Sequence, residues 1–212
     1  MNEIEIRAHG HLLETSKIYS TILHRLILDN GPVSLKRRPT GSLFEFLLRT
    51  VVGQQLSTTV ASKIWARLDN QRKILGVTLY DLLTDDNADA IRGCGVSKNK
   101  ARALIGLREK FEHKSLTEKS LLHANYKDTV TIITAQWGLG QWTADMCAIF
   151  FCGMADIFPA GDAAIIKGTN ILCEKKMTIE EFSVPFSPYR SYLSQHIWLA
   201  LDNGYLRTAP NP

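Results

Sequence analysis

Apolar residues return every three or four positions over most of this 212-residue chain, and that spacing is the strongest constraint on how it folds. The pattern runs through 18–28, 43–52, 60–68, 101–111, 130–135, 143–151, 163–172 and 192–201. Each stretch lays an apolar stripe along one side of a helix, and such stripes must be buried against one another. The expected fold class is therefore all-α. Glycine and proline punctuate the stretches at Gly31-Pro32, Gly53, Gly93-Cys94-Gly95, Gly138-Leu139-Gly140, Gly153, Pro159 to Gly161 and Pro185 to Pro188, which predicts short connections. Only Ile4 and Ile6 alternate with polar neighbours, and there a short strand is expected.

A content of 45% hydrophobic and 22% charged residues is that of a globular chain able to bury a sizeable core, as one large domain or two small lobes. No Ser/Gly-rich linker or block of like charge separates such lobes, so they are expected to share helices. No apolar run reaches the length of a membrane helix, and the start MNEIEIRAHG lacks the basic end and apolar core of a signal peptide. The expectation is a soluble, intracellular monomer with no membrane partner. The net charge of +4 suits a polyanionic partner without requiring one. Cys94, Cys147, Cys152 and Cys173 form no CxxC pair and lack iron–sulfur spacing. They are expected as reduced thiols, with no catalytic metal.

The chemistry concentrates between Trp137 and Asp162, in WGLGQWTADMCAIFFCGMADIFPAGD. A helix over about 126–136, a turn at Gly138-Leu139-Gly140 and a helix over 141–151 make an αα-hairpin. Glycines let that turn approach a phosphate, and the helix after it begins with unpaired amide donors. The same hairpin read plainly is a packing unit. Gly93-Cys94-Gly95, ahead of Lys98, Lys100 and Arg102, is a weaker echo: a second phosphate contact or an ordinary helix start. Asp162 reads either as the N-cap of a helix opening at Ala163 or as a working carboxylate, and the two are compatible. Gln54 and Gln55 are polar residues between apolar helices, followed by Leu56 and by Ser57, which is placed to cap.

Four phrases in order, LLRTVVGQQLSTTVASKIWARL, IRGCGVSKNKARAL, GLGQWTADMCAIFF with FPAGDAAIIKG, and SPYRSYLSQHIW, resemble the helix-hairpin-helix (HhH-GPD) DNA glycosylases. The branch they are most similar to is that of 3-methyladenine DNA glycosylase II. The resemblance covers roughly 40–205 of the chain and implies an all-helical, two-lobed fold with a cleft between the lobes. One lobe is expected to span about 40–140 and lead into the hairpin, with the remaining N- and C-terminal helices forming the other within a single 1–212 unit.

The resemblance further implies base excision repair of damaged double-stranded DNA. One nucleotide is flipped out, and its glycosidic bond is hydrolysed. Asp162 matches the family's catalytic aspartate, whose task is to stabilise positive charge on the sugar as that bond stretches. Trp142 and Trp198 fall at pocket tryptophans and Tyr189 at a further aromatic, where electron-rich rings suit a cationic alkylated purine. Gly138, Leu139, Gly140 and Thr143 match the phosphate-gripping hairpin. Gln54, Gln55, Leu56 and Ser57 match the loop that fills the gap left by the flipped nucleotide, with Gln55 as wedge. Relatives that also cut the strand place a lysine where this chain has Trp142, so water is the expected nucleophile. Lys167 is the nearest amine in sequence, and His196 lies one turn from Trp198.

Two departures stand out. Trp137 precedes the first glycine, where the family often has proline, and the stretch before Leu47 is too short for the N-terminal sheet domain of the enzyme that typifies the branch. No cofactor is expected, although the carbonyls of the hairpin turn hold a Na⁺ or K⁺ ion in relatives. Two other readings stay open: a glycosylase for oxidised or deaminated bases, and a non-catalytic hairpin module that only binds DNA. Cytoplasm and nucleoid are expected in a prokaryote, the nucleus in a eukaryote.

Overall fold

A computed structural model describes residues 2–35, 41–174 and 177–207, and every regular element among them is helical. The chain divides into two compact units, one of residues 1–37 and 148–212, the other of 38–147.

The first unit opens with α1 (Glu3–Tyr19) and α2 (Thr21–Asn30). The strand expected at Ile4 and Ile6 is instead the first turn of α1. Asn2 and Glu5 close a capping box there: the Glu5 amide donates to Asn2 Oδ1 at 2.9 Å, and the Asn2 amide donates to Glu5 Oε2 at 2.8 Å. The alternation in the sequence is real, but its buried member is polar. Ile4 and Ile6 are exposed, whereas Glu5 is buried and accepts from Ser34 Oγ at 2.6 Å. The single helix expected over 18–28 is also corrected, because the chain breaks at Ser20. That residue ends α1 with extended backbone and caps α2 by accepting from the Leu23 amide.

The second unit contains α3 (Leu43–Gly53), α4 (Thr58–Leu75), α5 (Leu79–Leu82), α6 (Ala88–Gly93), α7 (Lys98–Glu112), α8 (Glu118–Leu122) and α9 (Tyr126–Thr134). α3 packs on both α4 and α7, burying Phe46, Leu47 and Val51 of α3, Leu68 of α4 and Leu104 of α7. α10 (Gln141–Phe150) runs across the boundary at residue 147 into the first unit. That unit is completed by α11 (Ala163–Leu172), α12 (Ile179–Ser183) and α13 (Arg190–Asp202). Its core joins Leu12 of α1, Leu26 of α2, Ile165 and Leu172 of α11, Phe182 of α12 and Ile197 of α13. Gly168 sets the crossing of α11 and α13, since a Cβ there would stand 2.3 Å from Ile197 Cγ2. No helix among the described residues is long and apolar enough to cross a membrane.

Candidate active site

Asp162 ends the Pro159-Ala160-Gly161 turn, which closes when its amide donates to Pro159 O at 2.9 Å. Its side chain caps α11: Oδ1 accepts from the amides of Ala164 at 3.0 Å and Ile165 at 2.9 Å. A third donor reaches the same oxygen, the indole Nε1 of Trp198, at 3.2 Å. The carboxylate is thus oriented by two backbone donors and a ring and stands at the positive end of a helix. It remains half-buried. The Trp198 ring is itself half-buried and meets Phe150 at 5.5 Å between centroids.

The segment ahead of Asp162 is tied to the start of α13 by residues that the sequence reading left unassigned. Arg190 donates Nε to Asp156 Oδ1 at 2.7 Å and Nη2 to Asp156 Oδ2 at 2.9 Å, while Ser187 Oγ donates to Oδ2 at 2.8 Å. Burial pushes the Asp156 carboxyl up, but the bonds from Arg190 and Ser187 and the Arg190 charge outweigh it, leaving the group below its ordinary value. Ser191 Oγ donates to Met154 O at 2.7 Å and accepts the Ile157 amide at 2.9 Å. Asp162 and Trp198 are therefore held on one braced loop-and-helix pair. The signal lay within two phrases already noted, MADIFPAGD and SPYRSYLSQHIW, but not in any local spacing.

The other expected aromatics are Tyr189 and Trp142. Tyr189 turns its ring edge-on to His11 at 5.5 Å and to Tyr192 at 6.2 Å. Trp142 is half-buried in the first turn of α10, in the other unit. His196 belongs to the core: it is fully buried, its Nδ1 accepts from Asn30 Nδ2 at 3.2 Å, and burial, reinforced by His9, pushes its pKa down to about 3. Lys167 is exposed on α11.

In the hairpin, Gly138 takes φ +81°, and a Cβ on it would stand 2.9 Å from Ala103 Cβ on α7. Gly140 has nothing within 4 Å of its Cβ position. Leu139 and Thr143 have buried side chains, and the Leu139 amide is spent on Gln136 O at 3.1 Å. This corrects the expectation that the whole turn offers donors outward. The amides of Gly138, Gly140 and Gln141, all exposed residues, donate to no acceptor among the described residues. The hairpin is locked from behind by buried Asp145, whose Oδ1 accepts from Tyr126 Oη at 2.7 Å and Gln141 Nε2 at 2.8 Å. Trp137 is 47% exposed, with the Arg102 guanidinium 4.1 Å from its ring centroid.

Between α3 and α4, Gln55 sits in the left-handed region at φ +56°, Leu56 is exposed, and Ser57 caps α4 by accepting from Val60 N. Gln54 points inward instead, its Nε2 donating to Gly138 O and to Thr143 Oγ1, each at 3.1 Å. The amide of Gln54 thus occupies the turn carbonyl, and Gly140 O accepts from the Thr143 and Ala144 amides of α10.

The model of the HhH-GPD superfamily base excision DNA repair protein matches residues 48–181. The chain is 24% identical over 203 residues to the alkylbase DNA glycosidase-like protein mag2 of Schizosaccharomyces pombe, covering 91% of this chain and 92% of that one. It is 25% identical over 161 residues to DNA-3-methyladenine glycosylase 1 of the same yeast, covering 73% and 71%. Among solved structures, the S. pombe 3-methyladenine DNA glycosylase Mag1 in complex with abasic DNA aligns with a TM-score of 0.75 at 24% identity, over 92% of this chain and 97% of that one. A Bacillus halodurans DNA-3-methyladenine glycosidase aligns with a TM-score of 0.69 at 25% identity, over 91% and 88%.

Proposed function

The chain belongs to the HhH-GPD superfamily of base excision DNA repair proteins, and from that premise we propose that it is a monofunctional DNA glycosylase that releases alkylated purines such as 3-methyladenine or 7-methylguanine from duplex DNA. The observation that carries the reading is the carboxylate of Asp162, aimed by the Ala164 and Ile165 amides and by the Trp198 indole. A carboxylate so fixed needs no reorganisation as positive charge builds on the deoxyribose, and preorganised charge of this kind is the largest contribution in many enzymes.

An alkylated purine carries a formal positive charge, so its bond to the sugar is already weakened and protonation by the enzyme adds little. Selection then falls to stacking, for which Trp142, Trp198 and Tyr189 supply electron-rich faces. Flipping costs a few kcal/mol for unstacking and unpairing, less where a lesion has weakened the pair. The exposed amides of Gly138, Gly140 and Gln141 grip a phosphate, while Gln55 and Leu56 fill the vacated stack. Water, oriented by Asp162, completes the hydrolysis and leaves an abasic site in an intact strand.

The experiment is base release from duplexes carrying single lesions, run with and without sodium borohydride. Free 3-methyladenine or 7-methylguanine, with strand scission only after added alkali, is the expected result. Efficient borohydride trapping would identify an attacking lysine and overturn the hydrolytic mechanism. Release of oxidised or deaminated bases alone would overturn the alkylpurine assignment, and release from none of the duplexes would leave a DNA-binding protein.

A further inference from the structure

The loop that carries Gln55 and Leu56 is fastened where it leaves α3, from two directions. From within the loop, the Gln54 side chain reaches across the second unit to the hairpin and donates to Gly138 O and Thr143 Oγ1. From α7, Lys100 Nζ donates to Val52 O at 2.9 Å and Gln54 O at 2.7 Å. These are carbonyls at the C-terminal end of α3, where a cation is favoured by the helix dipole and by oxygens that have no partner within the helix. Lys100 is half-buried, and among the described residues it has no carboxylate partner, so these carbonyls are what stabilise its charge.

α7 touches both features. Ala103, three residues after Lys100, lies under the hairpin turn where a side chain on Gly138 would collide with it. Directly after the doubly fastened Gln54, Gln55 holds a left-handed backbone at φ +56°, which a residue other than glycine adopts when its surroundings impose it.

We propose that Gln54 and Lys100 are positioning residues, holding the loop that enters the duplex in register with the turn that grips the phosphate, with α7 as the splint common to both. The inference rests on the DNA-binding part of the reading above and not on base release. Gln54 thereby changes role: it acts through Gly138 and Thr143, leaving Gln55 and Leu56 as the groups that meet DNA. Fixing the loop in advance removes an ordering cost from the bound state, and the gain is greatest where a paired, stacked duplex must be opened.

The test compares binding to a duplex with a tetrahydrofuran abasic analogue opposite 2-aminopurine and binding to the same lesion strand in a bulged duplex. Gln54→Glu places a carboxylate oxygen where the amide donated, against the Gly138 carbonyl. Binding to the paired duplex should weaken on the order of tenfold, and the 2-aminopurine signal of loop insertion should fall. The bulged duplex should lose less than about threefold, because it is already open. Lys100→Met and Gln54→Met should give the same pattern with smaller losses, and they decide the matter if Gln54→Glu does not fold. Equal losses on both duplexes, or unchanged binding with a lowered melting temperature, would overturn the proposal. Binding of neither duplex by the wild-type chain would overturn it together with the DNA-binding reading. Binding without base release would remove only the glycosylase assignment, and the comparison of duplexes would still decide this one.

Discussion

At Asp162 one carboxylate oxygen takes three donors, so capping and orientation are a single arrangement. Asn and Asp serve almost equally as N-caps, so Asp162→Asn should keep α11 and leave the melting temperature nearly unchanged. It removes the negative charge, and single-turnover base release should fall on the order of 10²-fold or more, with binding to an abasic-analogue duplex within a few-fold of wild type. Excision near the wild-type rate would strip Asp162 of its role. The aspartate and its cap were legible because both depend on a Pro-Ala-Gly-Asp turn followed at once by an apolar helix. The indole donor was not, since Trp198 lies 36 positions along the chain from Asp162. Trp198 was expected as a stacking surface, and it also supplies a hydrogen bond that no periodicity announces.

At the scale of elements, the hairpin shows why two glycines in one turn are not equivalent. Gly138 needs both its left-handed φ and its missing side chain, whereas Gly140 needs neither. Gly138→Val should therefore destabilise the chain by roughly 1–3 kcal/mol and weaken binding to damaged and undamaged duplexes alike, because phosphate contacts carry no lesion information. Gly140→Ala should melt within about 0.5 kcal/mol of wild type and bind normally, since its amide is retained. Thermal melting and fluorescence anisotropy at two salt concentrations check both, and equal behaviour of the two variants would contradict the turn geometry. α1 was missed, its start having been read as a strand at Ile4 and Ile6, and α4 runs on to Leu75, beyond the expected end at 68. α3, α7, α9, α10, α11 and α13 were legible from their apolar spacing, within a few residues at their ends. α5, α6, α8 and α12 were not, for each is six residues or shorter and completes too few turns to display a period.

At the scale of the molecule, the first unit buries a neutral histidine. His196 stands near His9 and bonds Asn30, with its pKa lowered from 6.5 to about 3 by burial, and His9 is lowered by burial as well. Below pH 6.5 the unfolded chain takes up a proton that folded His196 refuses, so its stabilising effect is complete above that pH and is lost as pH falls towards 3. By pH 5 the loss should be about 2 kcal/mol. The depressed carboxylates of Asp156 and Glu174 add to it only at lower pH, near the ordinary carboxylate range and below. Urea unfolding of wild type and His196→Asn at pH 7.5 and pH 5 tests this: the variant should lose most of the slope between those values and keep only the smaller share of His9, and a slope equal to that of wild type would place the titration elsewhere.

The sequence by itself determined that this chain is helical, where most of its long helices run, which turn joins the two helices of the hairpin and which carboxylate opens a helix. Those properties rest on neighbours within a turn or two along the chain, through apolar period, caps and breakers. Only the tertiary structure decided that Gln54 faces the hairpin across 84 positions and that Arg190 braces Asp156 across 34. It likewise decided that Leu139 and Thr143 point inward, while Ile4 and Ile6 lie on the exposed side of a helix. A side chain's partner in such cases depends on which helix packs beside it. That is set by the burial of the whole core, which no local pattern encodes.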